Sequence, residues 1–157
     1  MKFPILFLPL LLATSLSWAT GHDHPHAPAA ARPASRAEIR LLPEEREHLL
    51  LEMRQFLAGV QTITRGVSDN DMKSVAAAAR SLGMAAAHEV PAPLRRKLPV
   101  EFRQLGSKTH QAFDDLARDA ESLGDPKHSL LQLADILQNC VACHASFRFT
   151  AEHVPKR

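Results

Sequence analysis

Residues 43–67 read PEEREHLLLEMRQFLAGVQTITRGV, and this stretch decides the fold class. Leu49, Met53, Phe56, Val60, Ile63 and Val67 recur at spacings of 4, 3, 4, 3 and 4. That is one apolar stripe along a helix, of the kind that packs in a left-handed bundle. Pro43-Glu44-Glu45 is a good start, since proline suits the first helical position and carboxylates suit the positive end of the helix dipole. Asp69-Asn70-Asp71 ends the stripe, and Asp71 can cap a following helix.

Working outward, the same period persists. An alanine-rich second helix is expected over about 72–88, with Val75, Ala76, Ala79, Leu82 and Ala86 on it. The three prolines of VPAPLRRKLP, residues 90–99, make that stretch a connection. A third helix over about 99–123 carries Phe102, Leu105, Ala112, Phe113, Leu116, Ala120 and Leu123. Leu123-Gly124-Asp125-Pro126 reads as a stop and a restart. A fourth helix then runs from Pro126 through Leu130, Leu133, Ala134, Leu137, Val141, His144 and Phe147 to near Thr150. No period-two alternation and no hairpin dipeptide stand out. The expectation is an all-α, antiparallel four-helix bundle over 41–152, followed by a tail, 153–157.

The N-terminus sets the compartment. MKFPILFLPLLLATSLSWA pairs one lysine with an apolar run and ends on small residues, so residues 1–19 read as a secretory signal peptide. An uncleaved anchor is the lesser alternative, because the run falls short of the roughly 20 apolar residues of a spanning helix. Cleavage leaves 138 of the 157 residues, with 18 basic against 17 acidic once Lys2 is gone. So even a balance is no nucleic-acid footprint. Arg95-Arg96-Lys97 is the only basic run and reads first as a solvated face, second as a docking patch for an acidic partner. Residues 20–40 are rich in Pro, Ala and His, with almost nothing to bury, and read as a disordered linker.

Export makes the cysteines informative. The only two lie in NCVACHASFRF, residues 139–149. A disulfide across two intervening residues constrains little of the unfolded chain. A reactive dithiol belongs at a helix N-terminus, where the dipole favours the thiolate, and this pair lies towards a helix C-terminus. Zinc asks for four ligands in a structural site. Cys140, Cys143 and His144 supply three, with His48, His88, His110, His128 and His153 scattered elsewhere. Cys-x-x-Cys-His is the c-type haem attachment pattern. Thiols three apart share a helix face, the adjacent imidazole reaches the iron, and thioether formation uses up both thiols. One covalent haem c is therefore the expected cofactor, with Cys140 and Cys143 as anchors and His144 as proximal ligand.

A haem motif in the last helix of a four-helix chain, with the Cys-x-x-Cys-His-x-x-[Tyr/Phe]-Arg ending, resembles the class II cytochromes c: cytochrome c prime and its low-spin relatives. The resemblance spans about 42–149. It implies a haem between helices at one end of the bundle, met on its other face by a first-helix side chain. Met53 occupies that position and would be the distal ligand, although a methionine on an apolar stripe is otherwise ordinary core. Met72 and Met84 are weaker choices. Phe147 would pack beside the porphyrin, and Phe in place of Tyr there leaves no phenol to hydrogen-bond. Arg148 either pairs with a propionate or is a cation favoured at a helix end.

Methionine–histidine ligation implies a periplasmic electron carrier serving redox partner proteins, with no enzyme activity of its own. The alternative is a five-coordinate haem that binds carbon monoxide or nitric oxide, as in cytochrome c prime. Such proteins often pair through helix surfaces, so a homodimer is open to this one. Cleavage after Ala19 would also expose Thr20-Gly21-His22. Its amine, two amides and the His22 imidazole suit square-planar Cu(II) or Ni(II), beside the plainer reading of a soluble linker. No glycine-rich phosphate loop or Gly-x-Ser-x-Gly is present.

Overall fold

The computed structural model describes residues 36–152. Residues 1–19, read from the sequence as a signal peptide, residues 20–35 of the Pro/Ala/His stretch, including His22, and the 153–157 tail lie outside the described residues. Those that are described form mostly helix: α1 (Pro43–Ser68), α2 (Met72–Ser81), α3 (Met84–Ala87), α4 (Ala92–Lys97), α5 (Val100–Ser122) and α6 (Pro126–Ser146). Two strands, β1 (Ala37–Leu41) and β2 (Phe147–Ala151), flank them. Among the described residues no helix is long and apolar enough to cross a membrane.

Sequence chemistry explains the helix ends. Leu42 N–H donates to Glu45 Oε2 at 2.9 Å, and Arg46 N–H to the Leu42 carbonyl at 2.9 Å, which closes the first turn of α1. The Asp71 carboxylate accepts from Ser74 N–H at 3.0 Å and caps α2. Asp125 does the same for α6, accepting from the Lys127 and His128 amides. Between α5 and α6, Gly124 takes φ +63°, the left-handed turn that favours glycine.

Two apolar clusters result. The larger joins Ile63 of α1, Val75, Ala76 and Ala79 of α2, Phe113, Leu116 and Ala120 of α5, and Leu133 and Ile136 of α6. Helix α1 packs on α2, α2 on α5, α5 on α6, and α6 returns to α1. The smaller cluster gathers Ile39 and Leu41 of β1, Leu49 of α1, Leu94 of α4 and Leu98, with Phe102, Phe147 and Phe149 against it.

Several sequence expectations need correction. The chain is not wholly helical: β1 and β2 pair in parallel, Ala37 opposite Phe147 through Leu41 opposite Ala151. Glu38-Ile39-Arg40-Leu41 does alternate, and Ile39 and Leu41 are buried while Arg40 is exposed. The linker boundary placed at residue 40 therefore falls inside a strand. The last helix stops at Ser146 rather than near Thr150, because the chain turns extended at Phe147 (φ −126°, ψ 154°) to meet β1. The second helix breaks at Leu82-Gly83, and the proline-rich connection contains α4. On α6 the packed side is Ser129, Leu133, Ile136 and Asn139, while Leu130, Leu137 and Val141 are exposed.

Candidate functional site

One cleft of about 340 Å³ brings the predicted residues together. Met53 comes to it from α1, Cys143 and His144 from the last turn of α6, and Phe147 and Arg148 from β2. Leu50, Phe102 and Phe149 add apolar wall, and Arg36 and Arg46 add two more cations. The volume falls within the roughly 300–1,000 Å³ of small-molecule sites. A larger groove, about 780 Å³ between α2 and the end of α5, is lined by alanines with Lys73, Arg80 and Glu121 and holds neither a thiol nor an imidazole.

Aromatic packing shapes the cleft. The Phe102 ring meets Phe147 edge-on at 5.5 Å between centroids, with 85° between planes, and Phe149 at 5.9 Å. Such edge-to-face contacts add to burial and hold β2 against the start of α5. The strand pairing closes the same end. Arg36 donates to the His144 carbonyl at 3.4 Å, meeting one of the backbone acceptors that the end of α6 leaves free. Lys97 Nζ lies 2.9 Å from Glu45 Oε1 and 3.3 Å from Glu152 Oε2, so α4, α1 and the residue after β2 are tied together.

The thiols are free and half-buried. Burial pushes both thiol pKa values up, and the neighbouring Cys140 sulfur pushes Cys143 further. That is the reverse of what a nucleophilic dithiol needs. Cys140 does not line the cleft; it lies one turn back along α6, its Sγ directed at the Ile136 carbonyl at 3.7 Å. Among the described residues no three His, Cys, Asp or Glu side chains converge on a point where a metal ion could sit. His144 is exposed on the cleft wall, and Met53 is half-buried across it. The donors present, a thioether, an imidazole and two protonated thiols on one helix, fit a covalently attached haem.

Arg148 is not a helix-end cation, since it belongs to β2, where its guanidinium pairs with the Glu38 carboxylate directly opposite. Two cleft arginines escaped the sequence reading. Arg46 had a signal: it precedes Met53 by seven residues, so both lie on one face of α1. Arg36 had none, because only the strand pairing brings it to His144.

A second polar cluster was also missed. The His110 ring of α5 is buried at 4% exposure. Its Nδ1 donates to the Leu82 carbonyl at 2.7 Å, and its Nε2 lies 3.2 Å from Glu52 Oε1. Burial alone would lower the His110 pKa, but the Glu52 hydrogen bond, the Leu82 carbonyl and the Glu52 charge together hold it above the ordinary value.

No protein-family model, curated protein or solved structure matches this chain.

Proposed function

We propose that the protein is a c-type cytochrome resembling class II, a periplasmic electron carrier with one covalent haem c. Its long helices, α1, α2, α5 and α6, would run up-down-up-down as an antiparallel bundle, with the haem at the end closed by the strand pair. The observation that carries this reading is that Met53 and His144, from the first and last long helices, line one cleft together with Cys143.

The haem would supply one-electron chemistry, with its potential raised by methionine and histidine ligands. The chain's own residues have distinct tasks. Cys140 and Cys143 would each hold one thioether, and protonated, half-buried thiols resist side oxidation before attachment. His144 and Met53 would hold the iron. Phe102 and Phe147 keep water from the cleft and offer aromatic edges to a flat ligand. Arg36 and Arg46, which line the cleft, would meet the propionates, since Arg–carboxylate pairs are charge-assisted and directional. Arg148 shares its charge with Glu38 and is the weaker partner.

Absorption spectra of wild type and Met53→Ala, matured with haem, test the ligand assignment. The expected wild type is low-spin, six-coordinate and slow to take carbon monoxide. Met53→Ala is expected to be high-spin and to bind it readily. Identical spectra for the two proteins would remove Met53 from the iron and leave the five-coordinate gas binder as the reading.

A further inference from the structure

The His110 cluster joins α5, the end of α2 and α1. Beside it runs a groove of about 550 Å³ between α1 and the α2–α3 segment, walled by Gly59, Ala77, Ala78 and Ala86. On the same helix Phe56 stacks on Phe113 at 5.7 Å and Gly59 lies close against Leu82, so α1 already packs on this side and Glu52 adds a polar contact to it. The polar contacts at this level are specific. Leu82 is the residue that ends α2, so its carbonyl lacks a helical donor, and His110 Nδ1 supplies one. One turn further along α5, Asp114 accepts from Met84 N–H at 2.9 Å and fixes the other side of the same break. Gly83 permits this approach, since a Cβ there would overlap the Asp114 carboxylate. The imidazole, so anchored to α5 and the end of α2, then reaches Glu52 of α1 through Nε2. Phe56, one turn on from Glu52, lies with its ring 5.0 Å from the imidazole.

Met53 is the next residue after Glu52. Adjacent helical residues are offset by about 100° and 1.5 Å. Glu52 therefore faces α5 while Met53 faces the cleft, and any roll of α1 that parts Glu52 from His110 swings Met53 as well. We propose that Glu52 and His110 are positioning residues for the Met53 sulfur. The imidazole locks the roll of α1 against α5 and the end of α2, and so sets whether the thioether reaches across the cleft towards His144. The inference rests on the proposed haem reading and deepens it: the pin selects between the closed electron carrier and an open, gas-accessible iron.

The test uses the full chain matured with haem and compares wild type, Glu52→Gln, Glu52→Ala and Ile63→Val. Glu52→Gln keeps an acceptor for Nε2 and is expected to keep wild-type ligation. Glu52→Ala is expected to show a five-coordinate fraction and an apparent carbon monoxide affinity about tenfold higher, because the fraction of open iron sets that affinity. Ile63→Val, a core trim elsewhere on α1, is expected to lower the melting temperature and leave the spectrum alone. If Glu52→Ala does not accumulate folded, Glu52→Asp, one methylene shorter, is measured in the same way. Wild-type ligation in the Ala or Asp variant overturns the inference, as does an equal spectral change in Ile63→Val. A wild type already five-coordinate overturns both this inference and the Met53 assignment. A Met53-ligated wild type with unaltered variants overturns the inference alone.

Discussion

The two apolar clusters are built by different rules. The larger is helix against helix: Ile63, Val75, Phe113, Leu116, Leu133 and Ile136 interdigitate from α1, α2, α5 and α6, most of them fully buried. The smaller joins strand, short helix and loop, and its members Ile39, Leu41, Leu94 and Leu98 come from segments that are not long helices. Apart from Cys140, whose sulfur is directed at Ile136 of the larger cluster, the predicted site residues within the described part of the chain line the cleft beside the smaller cluster. A helical core gives rigidity by repetition, whereas an open cleft needs elements that end, turn and cross. The comparison teaches that the site sits where the regular pattern stops.

The largest expected effect falls on the regular core. Phe113 is fully buried and stacks on Phe56 at 5.7 Å. Phe113→Ala should lose about 3–5 kcal/mol, the range for deleting a buried aromatic ring, read as a shift in the denaturation midpoint. Leu41 is equally buried, but on a two-stranded sheet whose neighbours can close in. Leu41→Ala should therefore fall near the lower end, about 2–3 kcal/mol. Hydrogen exchange should show lost amide protection concentrated in β1 and β2. Uniform loss over α2 and α5 instead would break the distinction between the two clusters.

This division also governs what could be read in advance. Helices α1 and α5 were legible to within a residue or two at each end, because their stripes are long and their first turns carry Pro43 and Pro99. Of the residues singled out in the sequence, Met53, Cys143 and His144 line one cleft. The strand pair was not legible. Its two alternations, Glu38-Ile39-Arg40-Leu41 and Phe147-Arg148-Phe149-Thr150, are four residues each, and neither can bury its apolar side without the other. Their partnership spans the whole chain, so no local window contains it. The extension of the last helix past Ser146 failed for that reason, as did the helix-end reading of Arg148. The Glu52–His110 contact was hidden likewise, since it depends on α2 breaking at Leu82.

A third prediction concerns the join between the two regions. Gly83 leaves room for Asp114, and Gly83→Ala should overpack that contact at a loss of about 1–2 kcal/mol. Calorimetric melting would measure it. A neutral result would mean that the Asp114 carboxylate moves aside freely and that the break in α2 is not clamped.

The smallest effect is in pH. At the cleft end, the Leu42 amide and the Lys97 ammonium hold the Glu45 carboxyl below its usual pKa; at the far end, Ser74 does so for Asp71, and His128 and Gln132 for Asp119. A carboxylate depressed in the folded state stabilises above its unfolded pKa, about 4, and that contribution is lost as pH falls through the folded value. Stability should thus decline in acid from both ends, modestly because Asp71 is exposed and the Lys97 and His128 partners are open to screening by solvent. Glu45→Gln should flatten only the part of the decline that belongs to the cleft end, measured by urea midpoints from about pH 6 to pH 3. An unaltered profile would remove Glu45 and Lys97 from the closure of that end.

The central claim is that Cys140 and Cys143 carry a haem. Its most direct test is the intact mass of the protein expressed with a haem-maturation system, together with a count of thiols that react with an alkylating reagent after denaturation. The account predicts a mass increased by one haem and no reactive thiol. The bare polypeptide mass with two reactive thiols, from cells that mature a control cytochrome normally, would contradict it.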